Sequence, residues 1–174
     1  VMDILELSKL QVGDDILKKE QFNLYEFLSS FQNTFKIQLQ QKNLDFKLYV
    51  YDSDMDILGD SKYLHRVIYN FIDNAVKFSK ENGIITLGAV ETKKGLKIFV
   101  SDTGIGIDSK DIDDIWDRYY KSAKSGGMGI GLAICGEILK QHNFEYGAVN
   151  NEGQGAEFYF IIPQNSYIKK GWRR

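Results

Sequence analysis

A single cysteine, Cys135, excludes an internal disulfide and leaves no second thiolate for a metal site. A reducing cytoplasm is therefore the expected compartment, and Cys135 itself is expected to be a small buried side chain. No apolar stretch approaches the ~20 residues that a bilayer-spanning helix needs. The opening VMDILELSKL also lacks the basic-then-apolar layout of a signal peptide, so a soluble domain is expected. Charge of one sign is missing too: 22 basic residues stand against 24 acidic ones, net −2, which calls for neither a nucleic acid nor an anionic membrane as partner. There is no GlyXaaSerXaaGly elbow, no paired His and Cys ligand set and no acidic pair whose separation can be judged from sequence. What remains is a chain of 174 residues, 43% apolar and 13% aromatic, long enough to bury one sizeable core, and one compact domain with an attached segment is expected.

Apolar periodicity organises the chain. Met2, Ile4, Leu5, Leu7 and Leu10 fall close to helical spacing, but the pattern starts without a cap, as the end of a longer helix would. Gly13, Asp14 and Asp15 break it. Leu24, Phe27, Leu28, Phe31, Phe35 and Leu39 then predict an amphipathic helix lying on a core. Residues 44–51 alternate as a strand. From Asp60 to Ser79 the helical period returns through Leu64, Val67, Ile68, Phe71, Ile72 and Ala75. Residues 84–91 and 96–101 read as an antiparallel hairpin, and a helix is expected from Ser109 to Trp116. The basic, glycine-rich stretch from Tyr119 to Gly131 is expected to be a mobile loop. Leu132, Cys135, Ile138 and Leu139 restart a helix that fades near His142, and strands near 144–150 and 156–162 precede the only proline, Pro163. Beyond it the basic tail, with Lys169, Lys170, Arg173, Arg174 and Trp172, has no clear pattern and is expected to be a solvated end. Helices alternating with strands, one pair of them a hairpin, predict a two-layer α/β sandwich with a mixed sheet.

Three stretches carry chemistry. On the Asp60 helix, Asn70, Asn74 and Lys77 sit at i, i+4 and i+7 as one polar stripe. Taken singly such a stripe is an ordinary solvated face, yet amide oxygens suit magnesium and a lysine suits phosphate. In SDTGIGI a strand ends on Asp102 and runs into Gly104 and Gly106. That could be a plain turn. Equally, it lets backbone lie flat against a planar ligand while the carboxylate accepts from an exocyclic amine, which adenine offers and guanine does not. In GGMGIGLAI, Gly127, Gly129 and Gly131 alternate just before a helix, where backbone N–H groups can approach phosphate. A flexible linker has the same composition. The stretch is neither a Walker loop, lacking GlyLysSer or GlyLysThr, nor a Rossmann fingerprint, because no strand leads into it.

Together and in this order these stretches resemble the ATP-binding catalytic domain of sensor histidine kinases. NFIDNAVKFS resembles the N box, DTGIG the first glycine box, IWDRYYK the F box with Trp116 at its usual phenylalanine position, and GGMGIGL the second glycine box. NEGQGAEFYF resembles the glycine motif before the last strand, and VMDILELSKLQVGD the end of the dimerisation helix. Met128 and Ala156 depart from the threonines frequent at their positions.

The resemblance implies a Bergerat-type fold, with residues 1–15 as the end of the dimerisation helix and linker, 16–163 as the ATP-binding catalytic domain and 164–174 as a basic tail. It implies ATP and Mg2+ as cofactors, with Asn74 as magnesium ligand, Asn70 and Lys77 at the phosphates, Phe78 lining the nucleotide pocket and Asp102 reading the adenine amine. Gly104, Gly106 and Ile107 would form one wall. Tyr119, Tyr120 and Lys121 would begin a lid over the nucleotide, and Gly127, Gly129, Gly131 and Leu132 would form its far hinge. Gyrase-like and chaperone ATPases carry a glutamate, the general base for water attack, where Asn70 stands, and an amide cannot take that proton. Transfer to an imidazole is therefore implied instead.

The acceptor histidine would stand on the dimerisation helix before residue 1. His65, followed by Arg66, and His142 are read as structural or surface residues, so no catalytic residue lies within the chain. The implied partners are the dimerisation domain and a response regulator. The longer protein would be a homodimer anchored in a bacterial membrane with this domain on the cytoplasmic side, and the fragment itself a monomer, because isolated coils of this length are marginal. The domain would swing on the linker near Gly13. A nucleotide-binding docking module without catalysis is the alternative.

Overall fold

The computed structural model describes residues 5, 8–11, 17–117, 120 and 130–170. Residues 8–11 are helical. Then follow β1 (Glu20–Asn23), α1 (Leu24–Thr34), α2 (Lys36–Gln41), β2 (Asp45–Val50), β3 (Met55–Gly59), α3 (Ser61–Phe78), β4 (Ile84–Thr92) and β5 (Gly95–Asp102). After these come α4 (Gly131–Gln141), β6 (Glu145–Asn150), β7 (Ala156–Ile162), a short 3-10 turn at Gln164–Ser166 and β8 (Tyr167–Lys169). The main sheet runs β2-β4-β5-β7-β6, with β2 and β4 parallel and every other pair antiparallel. Alternate residues of its strands, such as Ile85, Leu87, Ile98, Val100, Phe158 and Phe160, are buried against the helices. This is the mixed, two-layer α/β arrangement expected.

Helix α3 is the organising element. Asp60 caps its start, its Oδ1 accepting from Tyr63 N at 3.3 Å, and Leu64, Val67, Ile68, Phe71, Ile72 and Ala75 bury one face. At the other end Lys42 Nζ donates to the carbonyls of Val76, Lys77 and Ser79 at 2.7, 3.1 and 3.0 Å, satisfying acceptors that the helix cannot satisfy itself. Phe71 packs on Phe158 and, edge-on, on Trp116, so the aromatic of the IWDRYYK stretch joins the core.

Four expectations need correction. The amphipathic stretch from Leu24 is two helices, because Phe35 leaves helical geometry at φ −100° and ψ 11°. Residues 109–116 form a chain of turns and no helix. Their backbone bonds step mostly by three residues, from Asp111, Asp114 and Asp117 back to Asp108, Asp111 and Asp114. Aspartate is a poor helix former whose short carboxylate competes for nearby backbone N–H groups, and five of the ten residues 108–117 are aspartates. The segment after Pro163 is no patternless tail either. β8 pairs with β3, which pairs with β1, in a second, three-stranded sheet that periodicity did not reveal. Finally, Lys169 pairs with Glu91 and Lys170, from an exposed position, with Asp56 at 2.9 Å, so neither is an unpaired tail charge. Arg173, Arg174 and Trp172 lie outside the described residues.

Candidate functional site

The C-terminal half of α3 meets the Asp102–Ile107 loop on one side and the start of α4 on the other. Ile105 N donates to the carbonyl of Phe78 at 3.2 Å, seating the loop on the last turn of the helix. The approach is so close that a Cβ at Gly104 would stand 2.2 Å from that carbonyl oxygen, so only glycine fits. At the other wall, the position of a Cβ on Gly131 lies 3.3 Å from Asn70 Oδ1, which puts Asn70 beside the first residue of α4. Asn74, one turn along, lies between these walls. Its stripe neighbour Lys77 is exposed and pairs with Asp73 at 2.8 Å.

Asp102 is 3% exposed. Its Oδ1 accepts from Gly104 N at 2.8 Å and from Ala156 N at 3.2 Å; among the described residues no hydrogen bond ends on Oδ2. Burial raises its pKa above the usual carboxylate value, partly offset by those two backbone donors. The turn that supplies Ala156 comes against the peptide of Asp102 itself: Gly155 has φ +88°, and a Cβ there would lie 1.9 Å from Asp102 O. The NEGQG stretch thus holds the base of the loop.

Asn74 is 7% exposed, and its Nδ2 is buried without a hydrogen-bond partner. Ser79 Oγ, five residues on, is orphaned too. Unsatisfied buried polar groups cost about 1–3 kcal/mol each and call for a reason. A buried N–H donor without a partner fits an acceptor on a ligand, such as a phosphate oxygen, and the oxygen of the same amide is the atom a cation would take. Magnesium keeps several waters and takes one or two protein oxygens besides phosphate, so a single amide oxygen here is compatible with it. No cluster of three acidic, His or Cys side chains that could cage a metal exists among the described residues.

The remaining residues singled out in the sequence divide. Ile107 and Leu132 are buried, Phe78 is half-buried, and Gly106 is in the loop with φ +75°. Tyr120 is half-buried against the core. Tyr119, Lys121, Gly127 and Gly129 lie outside the described residues, as does most of the expected loop. Cys135 is fully buried, its thiol pushed up to about 12 by desolvation. His65 stacks on Phe31 with ring centres 4.7 Å apart, and His142 is buried at the start of α3, both structural placements. Sequence reading missed Asn150 and gave no role to Asn151, the first residue of the NEGQG stretch; the amides of both bond the Asp102–Ile107 loop. Only its place next to the NEGQG stretch hinted at Asn150.

A family model described as histidine kinase-, DNA gyrase B- and HSP90-like ATPase matches residues 59–166, more than half of the chain. Sensor histidine kinase WalK of Bacillus subtilis (strain 168) is 32% identical over 179 residues, covering 99% of this chain but 29% of WalK, so the chain spans less than a third of that relative. The solved catalytic domain of histidine kinase ThkA superposes with a TM-score of 0.76 at 25% identity, over 84% of this chain and 98% of that one. Full-length ShkA in complex with AMPPNP superposes with a TM-score of 0.83 at 27% identity, over 92% of this chain and 34% of that one. The chain belongs to the histidine kinase-, DNA gyrase B- and HSP90-like ATPase family, and its fold is that of a histidine kinase catalytic domain.

Proposed function

We propose that this domain binds MgATP over the C-terminal half of α3 and presents the γ-phosphate to a histidine on a dimerisation domain outside the chain. The observation that carries the reading is the pairing of two side chains at one end of one helix that the fold leaves free: Asp102, whose Oδ2 receives no hydrogen bond from the described residues, and Asn74, whose buried Nδ2 has no partner. Asp102 accepts from the adenine amine, which selects adenine over guanine. Asn70 and Lys77 face the phosphates, Phe78, Ile107 and Leu132 line the pocket, and Tyr119, Tyr120, Lys121, Gly127, Gly129 and Gly131 cover it. Magnesium, held by Asn74, would neutralise charge on the phosphates during transfer.

An imidazole nitrogen attacks the γ-phosphorus as the bond to the bridging oxygen breaks and ADP leaves. Asn70, an amide, offers no base to a competing water, and positioning supplies the catalysis. We assign residues 1–15 to the end of the dimerisation helix and linker, and the catalytic domain to the chain from residue 16 through β8. The phosphoryl group then passes to a response-regulator aspartate. The longer protein is a homodimer anchored in a bacterial membrane with this domain in the cytoplasm; no helix among the described residues is long and apolar enough to cross a membrane.

Calorimetric titration of the domain with ATP, with and without magnesium and beside GTP, tests the nucleotide reading. Binding of ATP in preference to GTP, strengthened by magnesium, is the expected result. Absence of binding under every condition would leave a docking module as the better account. Phosphohistidine formation in the longer protein tests the transfer.

A further inference from the structure

The loop that carries Asp102 has little core beneath its tip. Ile105 at its tip is 47% exposed, and an open pocket of about 350 Å³ lies against it, lined among others by Lys80, Gly106, Asn150 and Gln154. Hydrophobic packing holds its far end, where Ile107 is buried, but does not account for the course of its tip. Two consecutive side chains at the end of β6 do. Asn150 Oδ1 accepts from Ile107 N at 2.7 Å while Asn150 Nδ2 donates to Ile107 O at 2.7 Å, so the amide pairs with that residue as a neighbouring strand would. Asn151 Nδ2 donates to Ser101 Oγ at 2.9 Å, Asp102 O at 3.0 Å and Ala156 O at 3.2 Å. A Cβ on Gly106 would stand 2.9 Å from Asn150 Oδ1, so the amide also fills the hollow of the loop. One asparagine grips the far end of the loop and the other its base.

We propose that Asn150 is a positioning residue for base recognition, with Asn151 as its second anchor. By holding Ile107, Asn150 sets the path of residues 103–106 and the wall that the base meets, and Asn151 sets the height of the Asp102 peptide. Neither side chain touches the nucleotide. Their effect falls on the discrimination between adenine and guanine more than on the fold, because a loop free to move away from α3 loses the flat wall and its register with the Asp102 carboxylate. The inference rests on the nucleotide reading above.

The test uses Asn150→Ala, which removes both bonds, and Asn150→Asp, which keeps the acceptor for Ile107 N–H but sets an oxygen against the Ile107 carbonyl and preserves side-chain size if the alanine variant does not fold. ATP and GTP affinities are measured by titration for each, with amide hydrogen exchange at Ile107 and thermal melts alongside. Expected are ATP affinity weakened on the order of tenfold, as losing two neutral hydrogen bonds allows, a collapse of the ATP-over-GTP preference, fast exchange at Ile107 and a modest fall in melting temperature, since the Ile107 N–H and C=O lose their partners. A purely structural role would lower the melting temperature and leave the preference intact, and that result overturns the proposal. So does unchanged ATP affinity alongside fast Ile107 exchange. Failure of the wild-type domain to bind ATP at all is a different result: it removes the nucleotide reading, and this inference with it.

Discussion

The two ends of α3 both hold buried polar side chains, and they hold them differently. At the start, Asp60 caps the helix with Oδ1 and accepts from Lys18 N at 2.9 Å with Oδ2, while its own N–H donates to His142 Nε2 at 3.0 Å. His142 Nδ1 lies 2.8 Å from Ile138 O, which fixes the ring as the neutral tautomer with its proton on Nδ1. Gln141 beside it donates to Leu10 O at 3.1 Å. Every one of these groups is spent inside the fold, joining the incoming chain, α3 and α4. At the other end Asn74 Nδ2 and Ser79 Oγ have no partner and Asp102 Oδ2 receives no bond from the described residues. The lesson is that burial of a polar group does not by itself mark a site. Nor does a missing partner alone, since Asp56 Oδ1 on β3 is buried and orphaned as well; several such groups gathered at one end of one helix do, because the fold tolerates that cost where something else gains from it.

Substitutions at the two ends should therefore separate binding from stability. The largest effect is expected at Asp102→Asn, which replaces the acceptor for the adenine amine by an amide that can still receive the Gly104 and Ala156 N–H groups. ATP affinity should fall by about 2–3 kcal/mol, the scale of a hydrogen bond to a charged group, as read by titration. Stability should hold or rise. The sign follows from the raised pKa: the folded state keeps this proton more tightly than the unfolded one, so the residue's contribution worsens as pH climbs from the ordinary carboxylate value through the raised one, and a neutral amide removes that burden at neutral pH. A variant that lost stability and binding together would break the comparison.

His142→Ala is the mirror image. It orphans the Asp60 N–H and removes a ring that packs 5.0 Å from Phe144, so urea unfolding should record a loss of about 2 kcal/mol. ATP affinity of the folded variant should stay within about twofold, since distant sites are nearly additive. Asn74→Ala comes next. The magnesium-dependent part of ATP affinity should weaken by about tenfold, while the urea midpoint should hardly move, because the substitution deletes an unsatisfied group. A large stability loss here would mean that the amide is a structural one.

The smallest effect concerns pH. Burial chiefly, and the charge of Lys19, hold the His142 pKa below its ordinary 6.5, opposed by the Ile138 carbonyl and Asp60. The unfolded chain then takes up this proton at a higher pH than the folded one. The stability that the neutral ring contributes is complete above the ordinary value and is lost as pH falls through it. His65, also held low by burial, acts in the same direction. The quantity to measure is thus the difference between wild type and His142→Gln in urea midpoints between about pH 7.5 and 5.5. The wild type should lose more.

Local structure was legible wherever one element carried its own pattern. The stripe from Leu64 to Ala75 located α3 to within a residue or two, since an apolar face repeating at 3.6 residues needs no distant partner to be recognised. The hairpin of β4 and β5 was legible for the same reason. The three-stranded sheet was not: β1, β3 and β8 are 4, 5 and 3 residues long, too short to declare a period, and they meet only after the chain has folded. The turns at 109–116 were misread because Ile112, Ile115 and Trp116 mimic a helical stripe among aspartates that favour turns.

The site divides along the same line. Residue types at fixed spacing, the Asn70–Asn74–Lys77 stripe and the glycines after Asp102, were determined by sequence alone, because helix geometry and glycine's missing Cβ act over a few residues. Tertiary structure alone decided which buried groups have partners. Asn150 bonds Ile107 from 43 residues away, and His142 meets Asp60 across 82. Whether an amide is satisfied, orphaned or a clamp depends on distances that only the packed chain sets, since a hydrogen bond is made or lost within a few tenths of an ångström.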